Sequence, residues 1–394
     1  MSDSTNEAVM ESASSASSPI KRRKISDGTK LPMDMIMEIL KRVPVETLGY
    51  WCVSKPLASI IRNRHFKKLF LAHSSSRPGR FFVSFGCKDG CHLLSSPLPN
   101  QTHPGEEGDT LSVAATYHMK LPSRLRKPKA SWIHGLICYE SFQHLRSTLK
   151  VYNSTTRRST TLPDFDEPRS IITHMLGYDP VDGVYKVLRM SSRNDEMAPQ
   201  VPKRIFEVLT LGDDHSTWKM IQECPCYMPF DSHICIDGVL YYYACVVDQG
   251  LEKEAALVSF DLRSEKFGLI RESLDCPLEK KKNLGVLWVL EDAVTHEWVK
   301  KVFVFPSLWK SVISFYSFQI SVTDAGEFLL APRALRTRPY YVLCYDPKRE
   351  SMRKVFIEGV PEHIYTSSCL RRRERGFISL YHLFSTQLES LMFL

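Results

Sequence analysis

The chain has 394 residues, of which 43% are hydrophobic and 24% charged, with a formal net charge of +8 at pH 7. This length suffices for one small module and one large domain, and no apolar run approaches the length needed to cross a bilayer. The N-terminal stretch is rich in Ser and Ala, not basic and then apolar, so no secretory signal peptide is expected. The 11 cysteines follow no even framework, which predicts reduced thiols in the cytosol or nucleus.

The first 29 residues are predicted to be a disordered tail. Ser, Ala and acidic residues dominate them, and nothing in this stretch could form a hydrophobic core. The tail contains a dense basic cluster, Lys21, Arg22, Arg23 and Lys24. Nuclear import receptors read such clusters, and a solvated charge run is the alternative interpretation. The sequence therefore predicts a protein of the nucleus, the cytoplasm or both.

Residues 30–75 have the spacing of a small all-α module. Apolar residues recur at helical intervals, which predicts an amphipathic helix from about Met33 to Arg42. Pro32 suits the first turn of this helix, while Pro44 ends it and opens a second one. Two further apolar sets, around Trp51 and around Ile60, predict a second and a third helix. So small a module buries little surface alone and is expected to lean on a partner or a neighbouring domain.

Three motifs stand in order in this module: LPMDMIMEIL at 31–40, RVPVETL at 42–48 and CVSK at 52–55. They resemble the F-box in its plant form. That resemblance implies docking onto a Skp-type adaptor and, through it, a cullin ubiquitin ligase. Tyr50-Trp51 and Leu57 depart from the usual pattern, which affects the packing of the second and third helices more than the first. An ordinary helical hairpin with its own core is the alternative.

The residues expected to meet the adaptor lie on the apolar side of the first two helices. Binding energy at an interface concentrates in a few buried side chains. The predicted adaptor-binding residues are Leu31, Pro32, Ile36, Ile39, Leu40, Val43, Pro44 and Leu48.

From about residue 80 to 370 the chain has the texture of an all-β domain. Short β-branched and aromatic runs are broken by Gly, Asp, Asn and Pro, which is typical of strands and turns. Units of strand, polar turn and strand recur, for example LKVYNSTTRRSTTL from 149 and YVLCYDPKRESMRKVFI from 341. Glycines precede many of these units at apparently equivalent turn positions, which are Gly135, Gly238, Gly285 and Gly326.

The spacing of these units favours a propeller-like fold of about six blades. Repeats of three or four strands at roughly 40–50 residues are what propeller blades require. The ring is expected to be closed by FFVSFG near Phe81 or by the C-terminal segment 371–394. A pair of β-sandwiches built from similar hairpins is the alternative. In either architecture Trp218, Tyr242 and Phe260 are expected in the core.

The same region resembles the plant F-box-associated domain of the type 3, kelch-like class. The motifs that carry the resemblance include GLICYE, LGYDPVDGVYKVLRM, SFDLRSEKF and YDPKRESMRKV, in family order. The resemblance implies a kelch-like propeller that recognises a target protein, and the targets differ between members. Propeller strands are used in packing, so loops are expected to bind the target. The candidate loops are Ser95 to Gly108, Ser191 to Lys203, Glu223 to His233 and Leu274 to Lys282.

No catalytic motif is found in the sequence. Nucleophile elbows, P-loops, dinucleotide fingerprints and HExxH helices are missing. The closest metal-like spacing, Cys87 to Cys91-His92, lacks the fourth ligand that zinc needs and is interpreted as a reduced turn. Cys224-Pro-Cys226 and the carboxylates around Asp164 are interpreted as loop residues. No cofactor, metal, nucleic acid or membrane partner is expected.

These observations predict a non-catalytic substrate-recognition subunit of a Skp-cullin-F-box ubiquitin ligase. The helical module would dock the Skp-type adaptor, and the β domain would bind an unknown target protein. Two alternatives stay open: an F-box scaffold that binds a partner without promoting its ubiquitination, and a propeller enzyme or sugar-binding domain with a vestigial F-box.

Overall fold

The computed structural model describes most of the chain after residue 30. The described residues are 31–87, 90–99, 111–121, 129–143, 146–164, 170–193, 203–212, 216–222, 227–248, 251–270, 284–292, 295, 297–304, 318–334, 338–366, 379–386 and 388–392. The predicted tail with its basic cluster lies outside them, as do Cys224, Cys226, all of the predicted loop 274–282 and most of the loops 95–108 and 191–203. The prediction of a loop from Glu223 to His233 is wrong for residues 227–233, which belong to a strand, Tyr227–Ile236. Pro229 and Asp231 are residues typical of loops, but the strand pairing shifts its register between Pro229 and His233 and accommodates them.

Four helices form the N-terminal module. They are α1 (Met33–Leu40), α2 (Val45–Trp51), α3 (Lys55–Arg62) and α4 (Arg64–Ser74). Pro32 and Pro44 are the residues that precede α1 and α2, and Asn63 caps α4 by accepting a hydrogen bond from the His65 amide at 2.8 Å. The first helix ends two residues earlier than predicted, and the fourth helix was not predicted. Prolines mark helix starts reliably because their fixed φ suits the first turn.

The rest of the described chain is almost entirely strand. The strands are β1 (Arg80–Cys87), β2 (Gly90–Pro97), β3 (Leu111–Ala114), β4 (Thr116–Leu121), β5 (Ala130–Ile133), β6 (Leu136–Gln143), β7 (Arg146–Asn153), β8 (Arg158–Thr161), β9 (Ser170–Asp179), β10 (Val184–Arg193), β11 (Lys203–Thr210), β12 (Lys219–Met220), β13 (Tyr227–Ile236), β14 (Val239–Asp248), β15 (Leu251–Asp261), β16 (Lys266–Ile270), β17 (Leu284–Asp292), β18 (Glu297–Val304), β19 (Phe318–Val322), β20 (Phe328–Pro332), β21 (Tyr340–Asp346), β22 (Ser351–Glu358) and β23 (Ser379–Thr386), with a short helix α5 (Glu362–Thr366) before the last of them.

Within the described residues these strands form six sheets that follow one another along the chain, and all their strand pairs are antiparallel except that of β22 with β3. Their strand orders are β23-β1-β2-β4, β5-β6-β7-β8, β12-β11-β10-β9, β13-β14-β15-β16, β17-β18 and β19-β20-β21-β22-β3. Most pairs are simple hairpins, so each sheet is built from a local meander. Small meandering sheets that follow one another along the chain are typical of a propeller-like fold, which is the organisation that the repeat spacing predicts.

Two long-range pairings join the ends of the β region. The C-terminal strand β23 pairs antiparallel with β1, so that Phe82 lies opposite Phe384. The short strand β3 leaves the first sheet and pairs in parallel with β22, at the outer edge of the last sheet. Both segments proposed from the sequence as ring closures, the FFVSFG strand and the C-terminal strand, therefore lie side by side in one sheet.

Polar and aromatic contacts join the first strands of successive sheets. The Ser131 hydroxyl of β5 accepts a hydrogen bond from the Leu176 amide of β9 at 2.6 Å. The same hydroxyl is hydrogen-bonded to His233 Nε2 of β13 at 2.7 Å. On the other side of β5, the Trp132 ring stacks on Phe384 of β23 with centroids 4.2 Å apart. The second sheet is thus joined through β5 to the first, third and fourth sheets.

Three of the four predicted turn glycines have the backbone that the prediction requires. Gly135, Gly238 and Gly326 have φ values of +76°, +85° and +84°, a region that side chains with a Cβ rarely adopt. The prediction for Gly285 is wrong, since this residue lies inside β17 and is paired with Phe303. Sequence spacing could not separate a turn glycine from a strand glycine beside the same kind of apolar run.

The last described segment, residues 388–392, contacts both the helical module and the β domain. The Leu391 side chain is 2% exposed and packs in the helical core with Leu40, Leu48 and Phe66. The next side chain, Met392, packs instead in the core between the second and third sheets. Adjacent residues thus fill two different hydrophobic cores.

Buried hydrogen bonds hold this segment in place. The Asn153 amide nitrogen donates to the carbonyl oxygens of Ser390 at 2.8 Å and of Met392 at 2.9 Å. Asn153 is fully buried, and an unsatisfied amide there would cost about 1–3 kcal/mol. The side-chain oxygen of Asn153, Oδ1, accepts a hydrogen bond from the Thr155 amide at 2.8 Å. One side chain of the second sheet therefore fixes the backbone of the C-terminal segment.

Charged side chains of α4 and of the residues after it complete the junction. The Arg77 guanidinium donates to the carbonyls of Lys41 and Val43, at 3.3 and 3.2 Å, which follow the end of α1. It also pairs with Glu389 at 2.5 Å. Separately, the Lys68 ammonium of α4 donates to the Val181 carbonyl of the β9–β10 turn at 2.5 Å. The helical module is thus tied to the β domain at two separate places.

We expect Leu391→Ala to destabilise the protein by about 2–5 kcal/mol, because it removes a buried side chain from the small helical core. Val181→Ala, which truncates a side chain that is 57% exposed, should change stability by less than about 0.5 kcal/mol. Urea denaturation of the full chain measures both. Equal stability of the two variants would mean that the C-terminal segment does not support the helical module.

Candidate functional site

The first helix is apolar on two sides. Ile36 and Leu40 pack toward the helical core with Leu48. Met35 and Ile39, which are one turn apart on another side of α1, are each 52% exposed. Leu31, just before the helix, is 53% exposed. A helix that is apolar on its core side and on its solvent side presents a surface for a partner.

The eight residues predicted to bind the adaptor fall into three groups. Those exposed to solvent are Leu31, Pro32, Ile39 and Pro44. Those half-buried against the helical core are Ile36 and Val43, and those fully buried inside it are Leu40 and Leu48. The exposed residues are available for direct contact with a partner. The buried residues pack the helices together and so fix the positions of the exposed ones. The residues therefore come together in one module but take different positions in it.

Five other apolar side chains of the module are exposed and were not among the predicted residues. They are Met33, Met35, Tyr50, Trp51 and Val53. The four-residue spacing from Leu31 through Met35 to Ile39 places these residues on one side of α1 but does not tell whether that side faces the core or the solvent. The exposure of Tyr50 and Val53 had no such signal, because both lie at the end of α2, where the helical period stops.

A small charged cluster lies at the end of α1. Glu38 pairs with Lys41 at 2.7 Å and with Arg42 at 2.9 Å. Hydrogen bonds from Lys41 and then from Arg42 lower the pKa of the Glu38 carboxyl below its usual value. The cluster is at the surface, so its contribution to stability is small. It adds a polar border to the apolar side of the helix.

The metal-like spacing at Cys87, Cys91 and His92 lies on the paired strands β1 and β2. Burial raises the pKa of the Cys91 thiol to about 12. His92 Nδ1 is within hydrogen-bonding distance of the Tyr117 hydroxyl, at 3.2 Å. Within the described ranges, no group of three or more His, Cys, Asp or Glu side chains is arranged to hold a metal ion.

The described helices are short. None of them has the length and apolar character needed to span a membrane. The longest, α4, has 11 residues and carries the basic residues Arg64, Lys67 and Lys68.

The described chain thus combines a small helical module that has an exposed apolar side with a mostly β, propeller-like domain. Residues 80–284 and 273–383 match the family model of the F-box associated beta propeller domain. The chain belongs to this family of F-box proteins with an F-box-associated β-propeller domain. The predicted β architecture after residue 80 is thereby confirmed at the level of the family.

The relatives that match the chain cover nearly all of it. The F-box protein At2g21930 of Arabidopsis thaliana is 36% identical, over 95% of this chain and 98% of its own length. The F-box protein At1g53790 of the same plant is 32% identical, over 86% of this chain and 80% of its own length. Among solved structures, the β-propeller domain of the Trilobed protease from Pyrococcus furiosus is 9% identical, covering 70% of this chain and 65% of its own, at a TM-score of 0.31.

The two sides of α1 make a matched pair for mutation, since Ile39 and Leu40 are neighbours of equal size. We expect Leu40→Ala to destabilise the helical module by about 2–5 kcal/mol, because it opens a cavity in the core. Ile39→Ala should change stability by about 0.5 kcal/mol or less, since it shortens a half-exposed side chain. Hydrogen exchange of the amides in α1 to α4 measures both. Similar losses of protection would contradict the division of α1 into a core side and a free side.

Proposed function

We propose that this chain is the substrate-recognition subunit of a Skp-cullin-F-box ubiquitin ligase. The observation that supports it is the exposed apolar side of α1, with Leu31, Met35 and Ile39, on a module that already has its own core. Membership of the F-box family gives that surface a partner, a Skp-type adaptor, and through the adaptor a cullin. In this proposal the chain has no catalytic site, and the assembled complex supplies the ubiquitin transfer.

The β domain binds the target protein in this proposal. Its six described sheets are six blades of one kelch-like ring, closed by β23 in the first sheet and by β3 on the last. Propeller strands are used in packing, so the connecting loops are left to contact a target. The contacts of residues 388–392 with both cores hold the two binding surfaces at a fixed separation, which suits a receptor that presents a target to a ligase.

The adaptor contact uses the eight predicted residues in two ways. Leu31, Pro32, Ile39 and Pro44 contact the adaptor, and Ile36, Leu40, Val43 and Leu48 position them. Met35, which is as exposed as Ile39, joins the contacting group. Polar residues such as Glu38 form the rim, where charges contribute more to association rate than to affinity.

Replacing Ile39 by aspartate tests the adaptor contact. The charge would be desolvated in the complex but not in the free protein, so we expect adaptor affinity to fall by about 30-fold or more, as for a central interface residue. The double variant Leu31→Ala, Pro32→Ala should have the same direction of effect. Pull-down and calorimetric titration with a purified Skp-type adaptor measure the loss.

Met220→Asp serves as the matched control, because Met220 is 54% exposed on β12 in the β domain. This variant should bind the adaptor as the wild type does. Wild-type binding by Ile39→Asp, with α1 still folded, would remove the proposal. Proximity labelling with and without the F-box identifies targets. If they bind but their turnover is unchanged by proteasome inhibition, the scaffold alternative is the correct one.

The proposed location is the nucleus, the cytoplasm or both. Changing Lys21, Arg22, Arg23 and Lys24 to alanine removes the basic cluster that import receptors would read. We expect a fluorescent fusion of this variant to leave the nucleus, because a protein of 45.3 kDa joined to a fluorescent protein enters poorly by diffusion. As a control, residues 1–29 alone are fused to the fluorescent protein, and the same four changes are made in that fusion. An unchanged distribution of both fusions would make the cluster a plain solvated charge run.

A further inference from the structure

A small cavity lies where the first sheet, the second sheet and the C-terminal segment meet. Its volume is about 150 Å³, roughly five times the volume of a water molecule in the liquid. Its lining includes Arg80, Thr116, His118, Ser154, Arg157 and Thr386. It opens beside the junction with the helical module, since Pro78 and Glu389 also line it. The lining is mostly polar, with five hydroxyl or imidazole groups, Thr155 among them, and two guanidinium groups.

The charges around this cavity are mainly positive. Arg80 donates to the neutral hydroxyls of Ser95 at 2.8 Å and Thr116 at 3.3 Å. The carboxylate of Glu389 is already neutralised by Arg77, at 2.5 Å. Among the described residues, Arg157 forms no hydrogen bond or ion pair, although its guanidinium lines the cavity. A concave site with two arginines and one neutralised carboxylate attracts anions.

The histidine on the wall adds no charge of its own at neutral pH. Burial and then the nearby Arg157 and Arg80 lower the pKa of His118 to about 4. Its ring nitrogens are hydrogen-bonded to Ser95 Oγ at 2.8 Å and to the Tyr152 hydroxyl at 3.2 Å. The imidazole is therefore a fixed neutral wall, and the two arginines determine the sign of the potential.

The turns beside the cavity contain residues with positive φ values. Gly135 has a φ of +76°, and a Cβ at this position would lie 2.9 Å from Ser154 Oγ. The Ser154 hydroxyl donates to the Gly135 carbonyl at 2.8 Å. Arg157 also has a positive φ, +55°, which belongs to the turn that aims it at the cavity. Such a backbone persists only where its surroundings hold it.

We propose that this cavity binds a small soluble oxyanion of the phosphate class. Guanidinium groups match phosphate oxygens with pairs of N–H donors. The Thr116 and Thr155 hydroxyls of the lining can donate further hydrogen bonds, whereas those of Ser154 and Thr386 already donate to backbone carbonyls. The small volume suits a free phosphate or a small phosphate ester, whereas a phosphorylated side chain would need an opening for its peptide. The bound anion bridges the first and second sheets next to the C-terminal segment, so it stabilises the junction with the helical module.

Titration of the full-length chain with inorganic phosphate tests this site, against sodium chloride at the same ionic strength. We expect phosphate near ten times its Kd to raise Tm by about 2 °C, since a ligand that binds only the folded state stabilises it. Arg157→Gln should weaken phosphate binding by about tenfold or more, because it removes a charged donor. Arg158→Gln, which changes the neighbouring arginine outside the lining, should bind as the wild type does.

Three results would overturn the assignment. The first is a wild-type Tm that rises no more with phosphate than with chloride. The second is an Arg157→Gln variant, with unchanged Tm in chloride, that binds phosphate as tightly as the wild type. The third is a short phosphoserine peptide that binds more tightly than inorganic phosphate and loses this binding in Arg157→Gln, which would assign the site to a modified protein.

Discussion

The structure depends on the C-terminal segment at residues 388–392, which joins two hydrophobic cores that neither part of the chain could complete alone. Leu391 fills the helical core and Met392 fills a core of the β domain. Asn153 binds the backbone between them through two carbonyl oxygens. A module of four short helices buries little apolar surface by itself, and Leu391 adds to its core from the far end of the described chain.

This constraint bears on the proposed function. In the proposed complex the chain would join a ligase to a target, and this is favoured when its two binding surfaces keep one orientation. Arg77 ties the end of α1 to Glu389, and Lys68 ties α4 to a turn of the third sheet. The module is therefore tied to the rest of the protein through two separate sets of contacts. The exposed side of α1 has none of the core contacts that its other side makes in the helical core.

The β domain uses the same strategy of long-range closure. β23 completes the first sheet although about 290 residues separate it from β1, and closing so long a loop is tolerable because its entropy cost grows only slowly with length. Buried polar contacts such as that of Ser131 with His233 then set which sheets are neighbours. A buried hydroxyl between sheets is costly unless satisfied, so these pairs favour one arrangement of the sheets over others.

The sequence by itself determined the features that rest on local rules. Prolines at 32 and 44 predicted where two helices begin, apolar spacing predicted α1, and turn glycines such as Gly238 marked strand boundaries because few other residues tolerate that backbone. The exposure of Met35 next to the burial of Leu40 could not be predicted, since both suit an apolar helix side and only contacts with α2, α4 and Leu391 decide between them. The same is true of Gly285, of the pairing of β3 with β22, and of the cavity beside Arg157. Each of these depends on residues far apart in the chain, and only the tertiary structure brings such residues together.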